Sequence, residues 1–372
     1  MKRTTRAHLN VEAQSHAGMS GKNNEDRYAV ASFVLSAADK TPVIFAVLAD
    51  GIGGHKAGEV AAELAVNHIM ETVAKSDGQH TRRTIENAVA DASNAIAARS
   101  SSSDDFKGMG STCVTAWIIG DTLHTGYVGD SRIYLMRGGR IQQLTVDHTW
   151  VQEAVEKGIL TPEAARDHPN VHVIRRYLGS PVPPEPDYRL KMFNDESDEN
   201  AENNQGMQLL SDDVVLLCSD GLTDLVWNDE ILETVRSKPN LKEAGRVLTE
   251  LANSRGGHDN ITIILISVPS DFKLVTTDKK KVDWLPWILG GVAGIIFLLV
   301  AASFLTFSLL RRSGTLTPTP SVSSPQLTAT ATTASPKPTS TLRLTITILP
   351  ENQSPLIPTY TPWPTNTVVV TP

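Results

Sequence analysis

Cysteine is scarce in this chain of 372 residues, which contains two, Cys113 and Cys218. Both lie within apolar, strand-like runs, where a free cysteine behaves as a small buried hydrophobe. Two such residues cannot build the disulfide framework of a small secreted domain, so a reducing compartment is expected. Neither cysteine has a histidine or a second cysteine at the spacing of a zinc site, which argues against a zinc-binding fold.

An excess of positive charge is also lacking. The chain has 41 acidic residues against 34 lysines and arginines, which gives a formal net charge of -7. Proteins that bind nucleic acid usually present a basic face, so this charge argues against nucleic acid as the main partner. The length allows one large domain with additions, or two domains.

Long apolar runs are absent except for one, at residues 284–310, which carries no charged residue. At about 1.5 Å per residue, a helix of this length spans a hydrocarbon core of about 30 Å. Trp284 and Trp287 stand at its start, where interfacial aromatic residues are expected. The run lies far from the N-terminus, so the sequence predicts a single transmembrane helix and not a signal peptide.

The remaining chain divides by composition around this run. Residues 1–270 alternate apolar strands with helical segments and predict one globular domain, followed by a juxtamembrane linker at 271–283. Residues 311–372 are rich in threonine and proline, which predicts a disordered tail. Lysines 279–281 precede the run and Arg311 and Arg312 follow it, so the positive-inside rule only weakly favours a cytoplasmic globular domain.

Within residues 1–270, hydrophobic periodicity predicts seven strands and five helices. The strands are expected at 28–35, 43–49, 111–119, 122–128, 131–136, 214–219 and 261–268, and the helices at 58–74, 81–100, 150–157, 229–237 and 241–255. Short turns between neighbouring strands favour antiparallel pairing. The polar stretch at 194–206 has no apolar face and predicts a solvated loop.

Carboxylates recur at four places that we call the four acidic segments: residues 23–26, 47–59, 218–222 and 257–260. In the second of them, Asp50 ends an apolar strand and a cluster of glycines follows. An acid beside backbone that side chains do not crowd can bring a cation and a phosphate together. A tight turn alone would explain one segment, but it does not explain four.

The donor types in these segments indicate the metal and the chemistry. Carboxylate and carbonyl oxygens suit Mg²⁺ and Mn²⁺. Two such ions about 3.5–4 Å apart lower the pKa of a shared water and clamp the oxygens of a phosphoryl group. The segments therefore predict a two-metal site for hydrolysis of a phosphate monoester.

In this order, and together with residues 108–112, 127–133 and 144–149, the four acidic segments resemble the metal-dependent protein phosphatases of type 2C, the PPM family. The resemblance runs from about residue 15 to about residue 268. It implies an α+β fold in which two antiparallel β-sheets pack face to face between helices. It also implies hydrolysis of phosphoserine and phosphothreonine by a water activated between two Mn²⁺ or Mg²⁺ ions, with a third ion in some bacterial members.

The resemblance also implies roles for individual residues. Asp50 is expected to bridge the two metal ions, and the Gly51 carbonyl to bind one of them. Asp220 and Asp259 would complete the coordination of the other ion. Glu25 and Asp26 would lie where the family holds metal-bound waters, either directly or through other groups. Asp130 would share a third ion with Asp220. We therefore predict Asp26, Asp50, Asp220 and Asp259 as the catalytic residues.

Two positions depart from the family pattern. Gly21 stands where bacterial relatives usually carry a phosphate-binding arginine, and Lys22 is the candidate replacement, although it lacks the arginine's bidentate fork. Ile52 stands where animal relatives have a histidine proposed as a general acid. His55 and His148 are candidate substitutes, but the sequence favours loop histidines at both positions. Arg175 and Arg176 are either contacts for a phosphopeptide or arginines on the surface of a helix.

The complete hypothesis is a membrane-anchored phosphatase with its catalytic domain in the cytoplasm and its C-terminal tail outside. Phosphoproteins made with ATP are cytoplasmic, and no N-terminal signal is present to export the first domain. The expected partners are phosphorylated proteins, namely Ser/Thr kinases and their substrates, with no nucleic acid. A second hypothesis is a catalytically silent relative that binds phosphoproteins, and Gly21 is its only support.

Overall fold

The structure, a computed structural model, describes residues 1–53 and 56–272. His55, the predicted transmembrane helix and tail, and most of the predicted linker lie outside the described residues, so these predictions stay untested. None of the helices in the described part of the chain combines the length and the apolar character that a membrane crossing requires.

The first of two antiparallel sheets contains six strands. They are β1 (Lys2–Thr4), β3 (Arg27–Val34), β4 (Pro42–Ala49), β7 (Cys113–Ile119), β8 (Thr122–Val128) and β11 (Met207–Gln208), and they are paired in that order. Strand β4 is buried on both faces. Phe45 and Val47 contact the helical side, whereas Ile44 and Leu48 face the second sheet, because successive side chains of a strand point to opposite faces.

The second sheet contains five strands. They are β10 (Arg140–Gln143), β9 (Arg132–Arg137), β12 (Val214–Cys218), β13 (Ile261–Ser267) and β2 (Asn10–His16), again in the order of pairing. Strand β13 lies between β12 and β2, so the last strand in the described sequence pairs with one of the first. A separate two-stranded ribbon is formed by β5 (Gly51–Ile52) and β6 (Gly110–Ser111).

Helices cover the outer faces of both sheets. The long helices α1 (Lys56–Lys75) and α2 (Thr81–Ser100) pack on the first sheet, and α7 (Asn228–Ser237) and α8 (Leu241–Ser254) pack on the second. The shorter helices are α3 (Trp150–Glu156), α4 (Pro162–Arg166), α5 (Asp198–Asn203) and α6 (Asp220–Thr223). The order of layers is helix, sheet, sheet, helix, so the predicted α+β sandwich is confirmed for the described residues.

The predicted strands and helices are all present, with small differences at their ends. The prediction of a solvated loop at 194–206 is wrong. Residues there form α5, whose first turn is capped by Ser197, and Ala201 is fully buried. Arg189 and Lys191 pair with the Asp198 carboxylate at 2.9 and 3.0 Å. These cations offset the local negative charge that had indicated a fully solvated segment.

Candidate metal centre

The topology places the acidic residues at one end of the two sheets. Asp220 follows β12, Asp259 precedes β13, and Asp130 precedes β9, while Asp26 and Asp50 stand at the adjoining ends of β3 and β4. In an antiparallel sheet, the end of one strand and the start of its neighbour lie at the same edge. The fold therefore gathers carboxylates that are up to about 230 residues apart in the sequence.

The backbone of Asp50 is fixed by the residues that precede β7. Its N–H donates to Thr112 Oγ1 at 3.0 Å, and its carbonyl accepts from the Thr112 N–H at 2.8 Å and from Ser111 Oγ at 2.9 Å. Thr112 Oγ1 also lies 2.8 Å from Ser131 Oγ, beside Asp130. Two buried hydroxyl side chains thus hold Asp50 and link it to the Asp130 loop.

The backbone of Gly51 lies close to the backbone of Gly58, and Glu25 contacts both glycines. A Cβ atom at Gly51 would lie 2.2 Å from the Gly58 carbonyl oxygen, and one at Gly58 would lie 2.6 Å from Glu25 Oε2. The Gly58 carbonyl is backbone and leaves no room for a side chain at position 51, and a Cβ at Gly58 would also lie 2.8 Å from the Gly51 carbonyl oxygen. Glycine is therefore required where β5, the start of α1 and Glu25 meet.

The Asn260 side chain joins the first acidic segment to the last. Its Oδ1 accepts from the Glu25 N–H at 2.7 Å, and its Nδ2 donates to the Asn23 carbonyl at 3.1 Å. Ser219 Oγ donates to Asp26 Oδ2 at 2.8 Å and so joins the third segment to the first. The sequence indicated a turn residue at Asn260, and nothing in its local pattern predicted this long-range contact.

Burial and mutual repulsion raise the pKa values of the central carboxylates. Burial, and then the neighbouring Asp26 and Asp220, raise the pKa of Asp50 well above its usual value. Burial and then Asp130 do the same for the pKa of Asp220. These negative charges disfavour one another in the fold unless protons or cations neutralise them.

The surrounding acids show the same effect. Burial raises the pKa of Asp26 to about 6 and, followed by the Asp147 charge, the pKa of Asp130 to about 7. Burial and then the Asp259 charge raise the pKa of Glu25 to about 7. Each shift indicates a carboxylate placed where an ionised form lacks compensation.

Two buried carboxylate oxygens allow a test of whether divalent cations fit this site. Asp26 Oδ1 and Asp220 Oδ1 are buried and have no hydrogen-bond partner among the described residues. A buried charge without a partner is strongly unfavourable, and metal coordination is one of the few ways to satisfy it. The donors are oxygens of several carboxylates, which Mg²⁺ and Mn²⁺ prefer. The residues present therefore fit these ions.

His148 lies in the loop between β10 and α3, as the sequence favoured, and it is buried. Its Nδ1 accepts from the Gly129 N–H at 3.1 Å, so the ring proton lies on Nε2, which donates to Asp187 Oδ2 at 3.2 Å. The ring also stacks on Tyr127. Both ring nitrogens are occupied, which argues against His148 as a general acid and assigns it to holding the loop before Asp130.

Lys22 is exposed, and its positive charge partly offsets the raised pKa of Glu25, which places it near the acidic cluster. Gly21 has φ of +74° and no heavy atom within 4 Å of where a Cβ would stand. An arginine at position 21 would have space, but it would adopt a left-handed backbone that costs about 1–2 kcal/mol. Glycine at position 21, where relatives have arginine, thus suits the left-handed backbone at that position.

The segment 167–180 crosses from α4 towards Ser111 without forming a helix. Bridges join Ile174 to Thr149 and Leu178 to Ser111. Arg175 and Arg176 lie between the two bridges with exposed side chains, so the alternative of helix-surface arginines is wrong. The preceding helix α4 is capped by Thr161, whose Oγ1 accepts from the Ala164 N–H at 3.2 Å.

Sequence reasoning missed two further residues at the site, His172 and Asp224. His172 Nδ1 lies 3.7 Å from Asp224 Oδ2 and 3.9 Å from Asp220 Oδ2. The spacing of Asp220 and Asp224, four residues apart, is the signal that could have indicated a shared helical face. No comparable signal pointed to His172.

Comparison with known proteins bears on this geometry. Residues 14–262 match the family described as Protein phosphatase 2C. The serine/threonine phosphatase stp of Listeria innocua is 33% identical over 262 residues, which cover 69% of this chain and 95% of that protein. The S. agalactiae serine/threonine phosphatase structure aligns with a TM-score of 0.60 and 32% identity, over 70% of this chain and 99% of that one. The catalytic domain of the phosphatase PstP, solved in complex with two manganese ions, aligns with a TM-score of 0.57 and 33% identity, over 70% of this chain and 98% of that one.

Proposed function

This chain belongs to the protein phosphatase 2C family, and we propose that Asp26, Asp50, Asp220 and Asp259 form its catalytic centre. The chain is a metal-dependent serine/threonine phosphatase that removes phosphate from proteins with Mn²⁺ or Mg²⁺. The assignment of residues rests on one pair of atoms within a cluster of mutually repelling carboxylates. These are the buried oxygens of Asp26 and Asp220 that have no hydrogen-bond partner in the part of the chain that the structure describes.

The carboxylate of Asp50 and the carbonyl of Gly51 would hold one metal ion, and Asp50, Asp220 and Asp259 would hold the other. When bound, two such ions lower the pKa of a shared water and neutralise the phosphoryl oxygens. Asp130, beside Asp220, would contribute to a third ion. The hydroxyls of Ser111 and Thr112 keep the Asp50 backbone in position throughout.

Asp26 is suited to accept a hydrogen bond from the attacking water. Ser219 binds its Oδ2 and leaves Oδ1 buried and free of hydrogen bonds within the described residues. Burial raises the pKa of Asp26 to about 6 in the metal-free protein, and bound cations would lower it again. It is therefore the position of the buried Oδ1 that supports a role for Asp26 in accepting a hydrogen bond from the attacking water. Lys22, exposed beside Glu25, would attract the substrate phosphate.

We expect the full chain to hydrolyse para-nitrophenyl phosphate and phosphothreonine peptides with Mn²⁺, and to lose this activity in EDTA. The reason is that the carboxylate cluster repels an anionic substrate until cations neutralise it. Phosphate release measured before and after Mn²⁺ is restored checks the expectation. Binding of phosphopeptide without turnover in saturating Mn²⁺ would instead favour the silent, phosphoprotein-binding alternative.

We also propose that residues 284–310 anchor the enzyme in the cell membrane, with the catalytic domain in the cytoplasm and residues 311–372 outside. The uncharged run, the tryptophans at its start and the preceding lysines support this arrangement. Phosphorylated Ser/Thr kinases and their substrates at the membrane would then be the physiological partners, because anchoring concentrates the enzyme in their plane.

Protease added to intact cells should remove the tail and spare the phosphatase domain. The expected product is a membrane-bound fragment, shortened at its C-terminus, that keeps full activity in Mn²⁺. Immunoblotting with tags at each end measures this result, and permeabilised cells provide the control in which both ends become accessible. Loss of the N-terminal tag from intact cells would show the opposite topology.

A further inference from the structure

Trp227 is a large aromatic residue that stays in solvent close to the proposed catalytic centre. It is 56% exposed, and it caps the N-terminus of α7, a short distance along the chain from Asp220 and Asp224. Single exposed apolar side chains are common on protein surfaces and need no explanation. Trp227 differs from them because its ring is held in place and because it lies within reach of a bound substrate.

Contacts to the backbone and to the ring hold Trp227. Its N–H donates to Glu230 Oε2 at 3.0 Å, and its carbonyl accepts from the Ile231 N–H at 2.9 Å. The Arg166 guanidinium lies 3.4 Å from the centre of the indole ring, and Arg166 Nη2 donates to the Thr223 carbonyl at 3.4 Å. The exposed ring is therefore ordered before any partner binds, which lowers the entropy cost of binding.

The chain between Asp220 and Trp227 is short and mostly helical. The Asp224 N–H donates to the Asp220 carbonyl at 2.8 Å, and the Val226 N–H donates to the Leu222 carbonyl at 2.9 Å. With about 1.5 Å for each helical residue and about 3.5 Å for the last, extended one, Trp227 lies at most about 13 Å from Asp220. An extended peptide advances about 3.3 Å per residue, so a substrate residue about four positions from the phosphorylated one reaches Trp227.

A second exposed apolar residue belongs to the neighbouring segment. Val173 is 43% exposed, and it follows His172, whose Nδ1 lies 3.7 Å from Asp224 Oδ2. We call Arg166, Val173 and Trp227 the apolar rim. Tryptophan and arginine are the residues that most often dominate the energy of a protein interface. Two separate elements thus place binding groups beside the carboxylates.

We propose that the apolar rim binds the polypeptide of the substrate and selects phosphorylated segments with an aromatic or other large apolar side chain about four residues from the phosphorylated one. The inference rests on the proposed function, because the rim meets a substrate only when its phosphorylated residue is held at the metal centre. The occupant follows from covalent continuity, since the chain on either side of that residue must leave the centre across its edge. A lysine or arginine at the same place in the substrate is disfavoured, because the Arg166 charge repels it.

The test compares kcat/KM of the full chain in saturating Mn²⁺ on matched phosphothreonine peptides. Each peptide carries one phenylalanine at about two to five positions on either side of the phosphothreonine, and its partner carries serine there. We expect the best phenylalanine peptide to be preferred about 3–10-fold, the scale of one aromatic contact. The preference should vanish when the phenylalanine is moved to about eight positions away, beyond the reach of the rim. Trp227→Ser should remove the preference, and Trp227→Phe should keep most of it.

The matched control is Phe193→Ser, which removes an exposed aromatic side chain outside the rim and should keep the preference. The ratio of the two peptides cancels any difference in the amount of folded enzyme between variants. A wild-type chain that hydrolyses both peptides equally well would overturn the inference and leave the proposed function in place. A preference that survives Trp227→Ser, or that Phe193→Ser removes to the same extent, would overturn it as well. A chain that hydrolyses neither peptide in Mn²⁺ would overturn the proposed function itself.

Discussion

Asp50→Asn is expected to lower kcat about 10³-fold, on the scale of removing a central electrostatic group from an active site. The carboxylate would bridge both metal ions, and an amide cannot supply its charge to either. The same substitution should stabilise the metal-free protein, because it removes one of several buried, mutually repelling charges. Relief of about 1–2 kcal/mol would raise Tm by about 2–4 °C in a domain of this size.

The two effects have opposite signs, which separates a metal ligand from a residue that only maintains the fold. Activity is measured at saturating Mn²⁺, and Tm is measured in EDTA. Asp105→Asn, an exposed aspartate in a surface turn, is the matched control and should change neither quantity. Wild-type turnover in Asp50→Asn at moderate Mn²⁺ would disprove the bridging role, and a lower metal-free Tm would disprove the repulsion.

The metal-free protein is expected to lose stability as pH rises from about 4 to about 7. Glu25 and Asp130 have pKa values near 7, and Asp26 near 6, so the folded state binds more protons than the unfolded state across this range. Their destabilising effect is therefore absent at pH 4 and complete above pH 7. For Asp26 alone, a pKa raised from 3.8 to about 6 corresponds to about 3 kcal/mol.

Other titratable groups affect stability at other pH values or in the opposite direction, so the fall between pH 4 and pH 7 can be assigned to the acidic cluster. Burial would raise the pKa of Asp187, but hydrogen bonds from His148 and Arg189 outweigh it and hold that pKa well below its usual range. Asp187 therefore changes the stability only below about pH 4. Burial lowers the pKa values of His8 and His124, which opposes the slope near pH 6. Tm measured against pH in EDTA should fall, and Asp50→Asn should reduce the fall. A Tm that rises steadily to pH 7 would contradict the expectation.

Much of the fold was predictable because strands such as β4 and helices such as α2 carry their periodicity in the sequence. Strand β2 was missed because it is polar and lies at the edge of its sheet, where little apolar surface is buried. Helix α5 was missed because its stability depends on Arg189 and Lys191, which belong to another segment. The hydrophobic pattern of a segment does not indicate which residues of other segments will pair with it.

The candidate site, like the fold, could be predicted only in part from the sequence. Asp50 and Asp220 could be identified because each follows an apolar strand within a short motif. The roles of Thr112, Asn260 and His148 could not, because each depends on a hydrogen bond to a residue that is distant in the sequence. His172 approaches Asp224 only through the path of segment 167–180, which no local preference determines.

Strand β13 sets the order in which this enzyme matures on the ribosome. It lies between β12 and β2, and Asn260 at its start secures Glu25, so the N-terminal part of the site waits for nearly the whole domain to be synthesised. Contacts of such long sequence separation slow folding. We therefore expect a nascent chain to gain phosphatase activity only after Ser267 has left the exit tunnel, which an activity assay on stalled nascent chains of increasing length would check.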